Sequence, residues 1–166
     1  MTQERPYRLR RLEASDLETV ASFECEIAKM SFPDDPITDL NFYVRKLRHV
    51  VDDDNAAGIV AVDQTGPVGW AHVSKRRNFI TKQQYADFHS IYVSASQRGS
   101  GIVSDLVEAV FAYCRREGLD RVVFRTRASN ERMKAVLLRS GFQPTQIYYE
   151  RIFAADDRSA GETAAD

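Results

Sequence analysis

Apolar and polar residues change their spacing several times along this chain, and each change predicts a new element. Apolar residues recur every three to four positions over residues 17–25 and 40–51, the spacing of a helix with one buried face. The strongest helical pattern spans residues 102–114, and a shorter one covers 130–140. Short apolar or alternating runs predict strands at residues 7–12, 58–62, 68–73, 85–93, 121–126 and 146–153. This order of elements predicts a mixed α/β fold.

The predicted elements fit one domain. The chain has 166 residues, which is enough to bury a core without disulfides or a structural metal. We therefore expect a single domain over residues 1–153. The last thirteen residues, 154–166, are mostly small or acidic, and we expect them to form a disordered tail.

Charge and cysteine content exclude several classes of partner. The 23 basic and 24 acidic residues nearly cancel, so neither nucleic acid nor an anionic membrane is expected as the main partner. Cys25 and Cys114 lie in helical patterns without the spacing of metal ligands, and no metal is predicted. No apolar run reaches the length of a signal peptide or a membrane helix. We expect a cytoplasmic protein.

The most informative segment is the glycine-rich turn between the strand at 85–93 and the helix at 102–114. It reads Ser94-Ala-Ser-Gln-Arg-Gly-Ser-Gly101. Two glycines at a helix start let backbone N–H groups face an anion, which the positive end of the helix dipole also attracts. A tight connection without a ligand is the alternative. A dinucleotide fingerprint would need a third glycine at Ser104, and the Gly-Lys-Ser/Thr of a Walker A loop is absent.

Three segments of this chain, in the order in which they occur along it, resemble motifs of the GCN5-related N-acetyltransferases. Arg98-Gly-Ser-Gly101-Ile-Val103 resembles the family signature Arg/Gln-x-x-Gly-x-Gly/Ala between a strand and a helix. The preceding strand, Phe88-His-Ser-Ile-Tyr-Val93, and the later segment from Asn130 to Gly141-Phe142 resemble two further family motifs. The resemblance implies a twisted, mostly antiparallel sheet of six or seven strands. Helices would flank both faces, and the sheet would be split at the fourth strand.

The same resemblance implies a binding site for acetyl-CoA and no metal. The pyrophosphate would lie on the amides of the glycine loop, and the pantetheine arm would lie beside the fourth strand, with Asn130 approaching from the far side. The residues implied in cofactor binding are Ile91, Val93, Arg98, Gly99, Ser100, Gly101, Ile102, Val103 and Asn130.

Two positions depart from the family pattern. Val103 stands where the signature has glycine or alanine, next to the implied pyrophosphate. Leu137 stands where many relatives carry a tyrosine that protonates the departing thiolate. Because a thiol pKa is about 8.5, coenzyme A is a tolerable leaving group without that proton. Tyr148, Tyr149 or water are the candidates to replace the tyrosine, and Tyr148 is our choice.

A base is needed because the acceptor must attack as a neutral amine. His89 is the candidate, since an ordinary histidine pKa of about 6.5 suits proton transfer and the residue lies on the fourth strand. Asp87 shares its face by the two-residue period of a strand, and it is the second candidate. The alternative is that His89 is a half-buried strand residue bonded to a carbonyl, and that Asp87 is an ordinary surface carboxylate.

These observations predict an N-acetyltransferase that acts on a primary amine of a small metabolite, by direct attack in a ternary complex. A protein N-terminus or lysine is the alternative acceptor, and a non-catalytic acyl-CoA-binding module is the second alternative. A homodimer is compatible with the sequence.

Overall fold

A computed structural model describes residues 5–153. Within that range the chain forms five strands and four α-helices, with two short 3-10 turns at Ala14–Asp16 and Ala95–Gln97. The strands are β1 (Arg8–Arg11), β2 (Ala56–Asp63), β3 (Gly66–Arg77), β4 (Gln84–Val93) and β5 (Val122–Phe124). The helices are α1 (Leu17–Ser31), α2 (Leu40–Asp52), α3 (Ile102–Arg116) and α4 (Glu131–Arg139).

The strands form one sheet in the order β1-β2-β3-β4-β5. The first four strands pair antiparallel with their sequence neighbours, and β5 pairs parallel with β4. The β2–β3 hairpin turns at Gly66, whose φ of +120° is a conformation that only glycine adopts without strain. The parallel β4–β5 pair requires a crossover, and α3 supplies it. The mixed, mostly antiparallel fold class predicted from the sequence is confirmed.

The sheet has an apolar cluster on each face. One cluster joins α3 to the side chains of β2, β3 and β4, with Phe88, Ile91 and Val93 from β4. The other joins α1 and α2 to the opposite face, around the fully buried Trp70. Cys25 and Cys114 are buried in these two clusters as unpaired thiols, as the helical pattern predicted. The helices on both faces therefore follow from two amphipathic surfaces meeting one sheet.

The predicted number of strands and the last predicted strand were wrong. Within residues 5–153 the sheet has five strands instead of six or seven, and residues 146–153 form no strand. Ile147, Tyr149 and Ile152 expose about four fifths of their surface, at 78%, 84% and 84%. A run rich in isoleucine and aromatic residues forms a strand only when a partner strand supplies hydrogen bonds and one face is covered, and this segment has neither. The predicted tail at 154–166 lies outside the described residues.

No helix within residues 5–153 combines the length and the apolar character that a bilayer crossing needs. The same part of the chain holds no group of three or more histidine, cysteine, aspartate or glutamate side chains that could bind a metal ion.

Candidate functional site

The sheet opens along the second half of β4. Strand β5 pairs with β4 only from Ala86 to Phe88, whereas β4 continues to Val93. The Ser94 N–H donates to the Val68 carbonyl of β3 at 2.9 Å. Because peptide groups alternate in direction along a strand, the N–H and C=O of Ile91 and Val93 point away from β3, to the open edge. These backbone groups are therefore available to an extended ligand.

A β-bulge marks the place where the sheet begins to open. His72 of β3 is opposite Ser90, and Val73 is opposite Phe88, so His89 is an extra residue in β4. The bulge reverses the alternation of faces, which is why Phe88 and Ile91, three residues apart, lie in the same apolar cluster. Bulges are frequent next to active sites because they redirect a side chain, and here the redirected residue is the predicted base.

The glycine loop follows directly at the end of β4 and leads into α3. Gly99 and Gly101 have φ values of +85° and +91°, which side-chain-bearing residues rarely adopt. Among residues 5–153, the N–H groups of Gly99, Gly101, Ile102 and Val103 have no acceptor. Arg98 and Ser100 are exposed beside them, and Arg98 forms no ion pair within the described range. The loop presents free donors at the positive end of a 15-residue helix.

Close packing of α3 on the sheet positions this loop. A Cβ atom on Gly69 of β3 would lie 2.8 Å from the Cγ2 of Ile102, so only glycine lets the helix begin so near the strand. Val103 is half-buried and packs against the same cluster. The larger residue at this signature position is therefore accommodated by the core, and the backbone N–H of Val103 stays free.

A carboxylate in the first turn of α3 is neutralised by the N-terminal strand region. Asp105 accepts a hydrogen bond from the Tyr7 hydroxyl at 2.7 Å and forms an ion pair with Arg5. The Tyr7 hydroxyl is also 3.8 Å from the position of a Cβ on Gly101. An unpaired carboxylate here would oppose anion binding at the loop, so Arg5 and Tyr7 remove that penalty.

The predicted base lies in a chain of polar contacts across β3, β4 and the segment after β5. His89 Nε2 is 2.6 Å from the Ser74 Oγ, and His89 Nδ1 is 3.8 Å from an Asp87 oxygen. Arg125 donates to the other Asp87 oxygen at 2.8 Å. The carboxylate beside Nδ1 favours a proton on that nitrogen, which leaves Nε2 to accept from the Ser74 hydroxyl. His89 bonds to no carbonyl among the described residues.

Both histidines of this cluster favour their neutral forms. Burial lowers the pKa of His89 below its usual value, Asp87 opposes that shift, and the cations Arg76, Lys46 and Arg125 add to it. His72 stacks on His89 with ring centroids 4.6 Å apart. Burial lowers the pKa of His72 to about 3, and the positive charges of Lys46 and Arg76 contribute. A neutral imidazole with a free Nε2 lone pair is the form that accepts a proton.

We expect acid to destabilise the protein through His72. Its pKa in the folded state, about 3, lies below an unfolded value of about 6.5, so folding requires the neutral form. This contribution to stability is complete above pH ~6.5 and is lost progressively as the pH falls toward 3. Urea unfolding at pH 7.5 and pH 4.5 should show a smaller loss for His72→Phe than for the parent. Equal losses would show that His72 does not titrate on unfolding.

A cavity of about 360 Å³ lies beside this cluster, on the face of the sheet that α2 covers. His72 and Ser74 are buried residues of its wall, and they come from β3. The rest of the wall comes from α2, the following turn and the strands β2 and β3, and comprises Lys46, His49, Val50, Asp53, Asn55, Ala56, Lys75 and Arg76. The volume is in the range of small-molecule pockets.

The other predicted residues occupy different places. Asn130 caps α4, where its Oδ1 accepts from the Met133 N–H at 3.0 Å, and its amide nitrogen is not used by the cap. Leu137 is half-buried on α4. Tyr148 is 91% exposed on the segment without regular structure. The structure therefore brings His89 and Asp87 together, and it does not bring Tyr148 to them.

Sequence reasoning missed Ser74, His72 and Arg125. Ser74 and His72 alternate along β3 on one face, a signal present in the sequence, but only the β3–β4 register brings them next to the bulged His89. Arg125 follows β5, and no local pattern connects it with Asp87, 38 residues earlier.

Comparison with known proteins assigns this arrangement to a family. A sequence model described as the acetyltransferase (GNAT) family matches residues 17–142. A search of curated proteins found no match. The chain belongs to the GNAT family of acetyltransferases, as the motifs predicted.

Solved structures share the fold at low sequence identity. The aminoglycoside antibiotic 6'-N-acetyltransferase AAC(6')-Ih from Acinetobacter baumannii is 17% identical with a TM-score of 0.70, covering 89% of this chain and 99% of its own. The aminoglycoside N-acetyltransferase AAC(6')-Iy in complex with CoA is 19% identical with a TM-score of 0.73, covering 91% and 98%. A ribosomal-protein-alanine N-acetyltransferase from Brucella melitensis is 16% identical with a TM-score of 0.69, covering 89% and 99%.

Proposed function

We propose that this chain transfers an acetyl group from acetyl-CoA to the primary amine of a small molecule, by direct attack while both substrates are bound. The observation that carries the proposal is the adjacency of three features on β4. The open edge at Ile91 and Val93 and the half-buried His89 lie on β4, and the free amides of the glycine loop follow directly after it. A donor along the edge and an amine beside His89 would therefore meet.

The loop residues fit the diphosphate end of acetyl-CoA. Apart from its two chain neighbours, no atom of the described residues lies within 4 Å of a Cβ position on Gly99, so the space beside this glycine is open. The N–H groups of Gly99, Gly101, Ile102 and Val103 would donate to phosphate oxygens, and Arg98 and Ser100 would add a charge and a hydroxyl. Each charge-assisted hydrogen bond is worth about 1.5–3 kcal/mol, so several of them could hold the diphosphate without a metal. The cosubstrate supplies the acetyl group as a thioester.

The His89 cluster supplies the base. An alkylamine with a pKa of about 10.4 is neutral at pH 7 only at a cost of about 4.6 kcal/mol, so its proton needs an acceptor. The lone pair of His89 Nε2 faces Ser74, which lines the cavity. We assign the proton path from the amine to Nε2 through the Ser74 hydroxyl. Asp87, held by Arg125, keeps the proton of the neutral ring on Nδ1.

A different residue is our candidate for the general acid that protonates the departing thiolate of coenzyme A. Tyr148 keeps that role in our proposal, because Leu137 has no proton to give and Tyr148 is exposed and unpaired by side-chain hydrogen bonds within the described residues. Removal of a general acid costs about 10²–10⁴-fold at most, and Tyr148→Phe tests this part of the assignment separately from the base.

Support for a small acceptor comes from the size of the cavity beside Ser74, about 360 Å³. The structural neighbours include enzymes named for aminoglycosides and for a ribosomal protein's alanine, so the fold alone accepts both small and protein acceptors. A peptide would need an open groove in contact with His89. Acetylation of a peptide in preference to every small amine would replace our proposal with the protein-acceptor alternative.

Thermal unfolding with added ligand tests the donor assignment. Acetyl-CoA at 100 times its dissociation constant should stabilise the chain by about 2.7 kcal/mol. NADH and ATP at the same concentration should shift the melting temperature much less, because they lack the pantetheine arm that the open β4 edge accepts. Equal shifts with all three ligands would show that the loop binds any diphosphate and would remove the argument for a thioester donor.

Release of free thiol from acetyl-CoA across a panel of amines tests the reaction itself. We expect amine-dependent release above the rate of hydrolysis for at least one small primary amine. Binding of acetyl-CoA without amine-dependent release on any small amine or peptide would support the non-catalytic alternative.

A further inference from the structure

The cavity beside Ser74 carries an excess of positive charge. Its wall includes Lys46, Lys75 and Arg76, against a single carboxylate, Asp53. Lys75 is already paired with Glu117 at 3.1 Å. Lys46 and Arg76 form no ion pair within residues 5–153 and are exposed at the cavity. With Lys75 paired, Lys46 and Arg76 face this space from α2 and β3 against Asp53 alone, so the wall keeps a net positive charge.

The field of these cations reaches the buried end of the cavity. Lys46 and Arg76 both act on His72 and His89, which lie at or behind that end, and both disfavour a positive charge there. An acceptor with several ammonium groups would be repelled by the same field. An ammonium that did bind beside Ser74 would lose its proton more readily, because the neighbouring cations destabilise its charged form.

A negative group on the acceptor would balance this field. The amine must lie beside Ser74, at the buried end, since that hydroxyl contacts the base. A carboxylate or phosphate on the same molecule would then lie toward Lys46 and Arg76, at the exposed end. Charged nitrogen donors bind such oxyanions in short, strong hydrogen bonds.

We propose that the acceptor is a small amine that also carries a carboxylate or phosphate group, held by Lys46 and Arg76 while the amine lies beside Ser74. This inference rests on the proposed acetyl transfer and narrows its substrate class. An enzyme for polycationic acceptors would need carboxylates to attract its substrate. The wall of this cavity carries mainly cations, which attract an anionic group instead.

Matched pairs of amines test the inference. β-Alanine is compared with its amide, and O-phosphoethanolamine with ethanolamine, so that each pair differs in the acidic group. The anionic member should have a kcat/KM at least about tenfold higher, mostly through a lower KM. The pair with the larger ratio identifies the preferred oxyanion.

Charge reversal assigns the effect to the cavity. Lys46→Glu and Arg76→Glu should each lower kcat/KM for the preferred anionic acceptor by about tenfold or more, and should reduce or invert its advantage over the uncharged partner. The KM for acetyl-CoA should stay within about twofold. Arg48→Glu is the matched control, because it makes the same charge change on the exposed surface of α2 outside the cavity wall. It should leave the preference unchanged.

The outcomes separate the two proposals. Acetylation of uncharged amines with no preference for the anionic partners, or a preference that survives both charge reversals, would overturn the inference and leave acetyl transfer intact. A loss in Arg48→Glu equal to that in Lys46→Glu would also overturn it, since a general surface charge would then explain the effect. Absence of acetylation on every amine would reject the proposed function, and the inference would fall with it.

Discussion

Gly101→Asp should reduce the affinity for acetyl-CoA by about 100-fold or more, which corresponds to about 2.7 kcal/mol of binding free energy. The position has φ +91° at the start of α3, where the neighbouring amides have no acceptor within the described residues. A carboxylate there would occupy the anion site and repel the diphosphate; two unit charges 4 Å apart interact by about 4 kcal/mol at an effective dielectric constant of 20. Titration calorimetry with acetyl-CoA measures the loss directly.

The left-handed backbone requires a control, because any side chain at such a glycine costs about 1–3 kcal/mol in stability. Gly118→Asp is suitable, since Gly118 has φ +64° at the other end of α3 and nothing lies within 4 Å of its Cβ position. It should lower the melting temperature while keeping the affinity for acetyl-CoA. If Gly101→Asp folds and binds acetyl-CoA as the parent does, the diphosphate does not lie on this loop.

The glycine loop and the helix after it could be predicted because their signals are local. Two glycines before a strong helical pattern already imply left-handed turns and a free helix N-terminus, and the structure has both at Gly99 and Gly101. The open edge of β4 was predicted only through resemblance to the family. Its cause is the short β5, which pairs through three residues, and no residue of β4 itself encodes that length.

The polar cluster could be predicted only in part, because its contacts cross strands. The two-residue period correctly placed Asp87 and His89 near each other. The period fails beyond His89, since the bulge moves Ile91 into the cluster that contains Phe88. Ser74 reaches His89 through the register between β3 and β4, and register depends on the packing of both faces.

The wrong strand prediction at residues 146–153 also results from contacts that are distant in sequence. These residues include isoleucines and aromatic side chains that strands favour, yet β5 offers a partner only three residues long, and Tyr148 remains 91% exposed. Strand formation depends on a paired and covered neighbour more than on intrinsic preference. Pairing partners that are distant in sequence cannot be found from one segment alone.

His89→Ala should lower the rate of acetyl transfer at pH 7 by about 10²–10⁴-fold and leave the affinity for acetyl-CoA nearly unchanged. The imidazole acts on the amine, whereas the loop amides act on the cosubstrate. In the parent, activity should fall as the pH drops through the pKa of His89, which burial places below about 6.5 against the pull of Asp87. The deficit of the variant should shrink toward pH ~10, because the acceptor amine is then increasingly neutral without a base.

His89→Gln separates a base from a structural role. Its amide can still hydrogen-bond the Ser74 hydroxyl, but it cannot take a proton at neutral pH. If His89 is the base, the Gln variant should be as slow as the Ala variant at pH 7 and should recover with pH in the same way. If the residue only supports the bulge and Ser74, Gln should restore most of the rate. Ser74→Ala adds a third profile, since loss of the relay should lower kcat and weaken the acidic limb set by His89. Profiles of parent and His89→Ala that run parallel within about threefold would exclude His89, and the base would then be sought at Asp87, the other proton acceptor of the cluster.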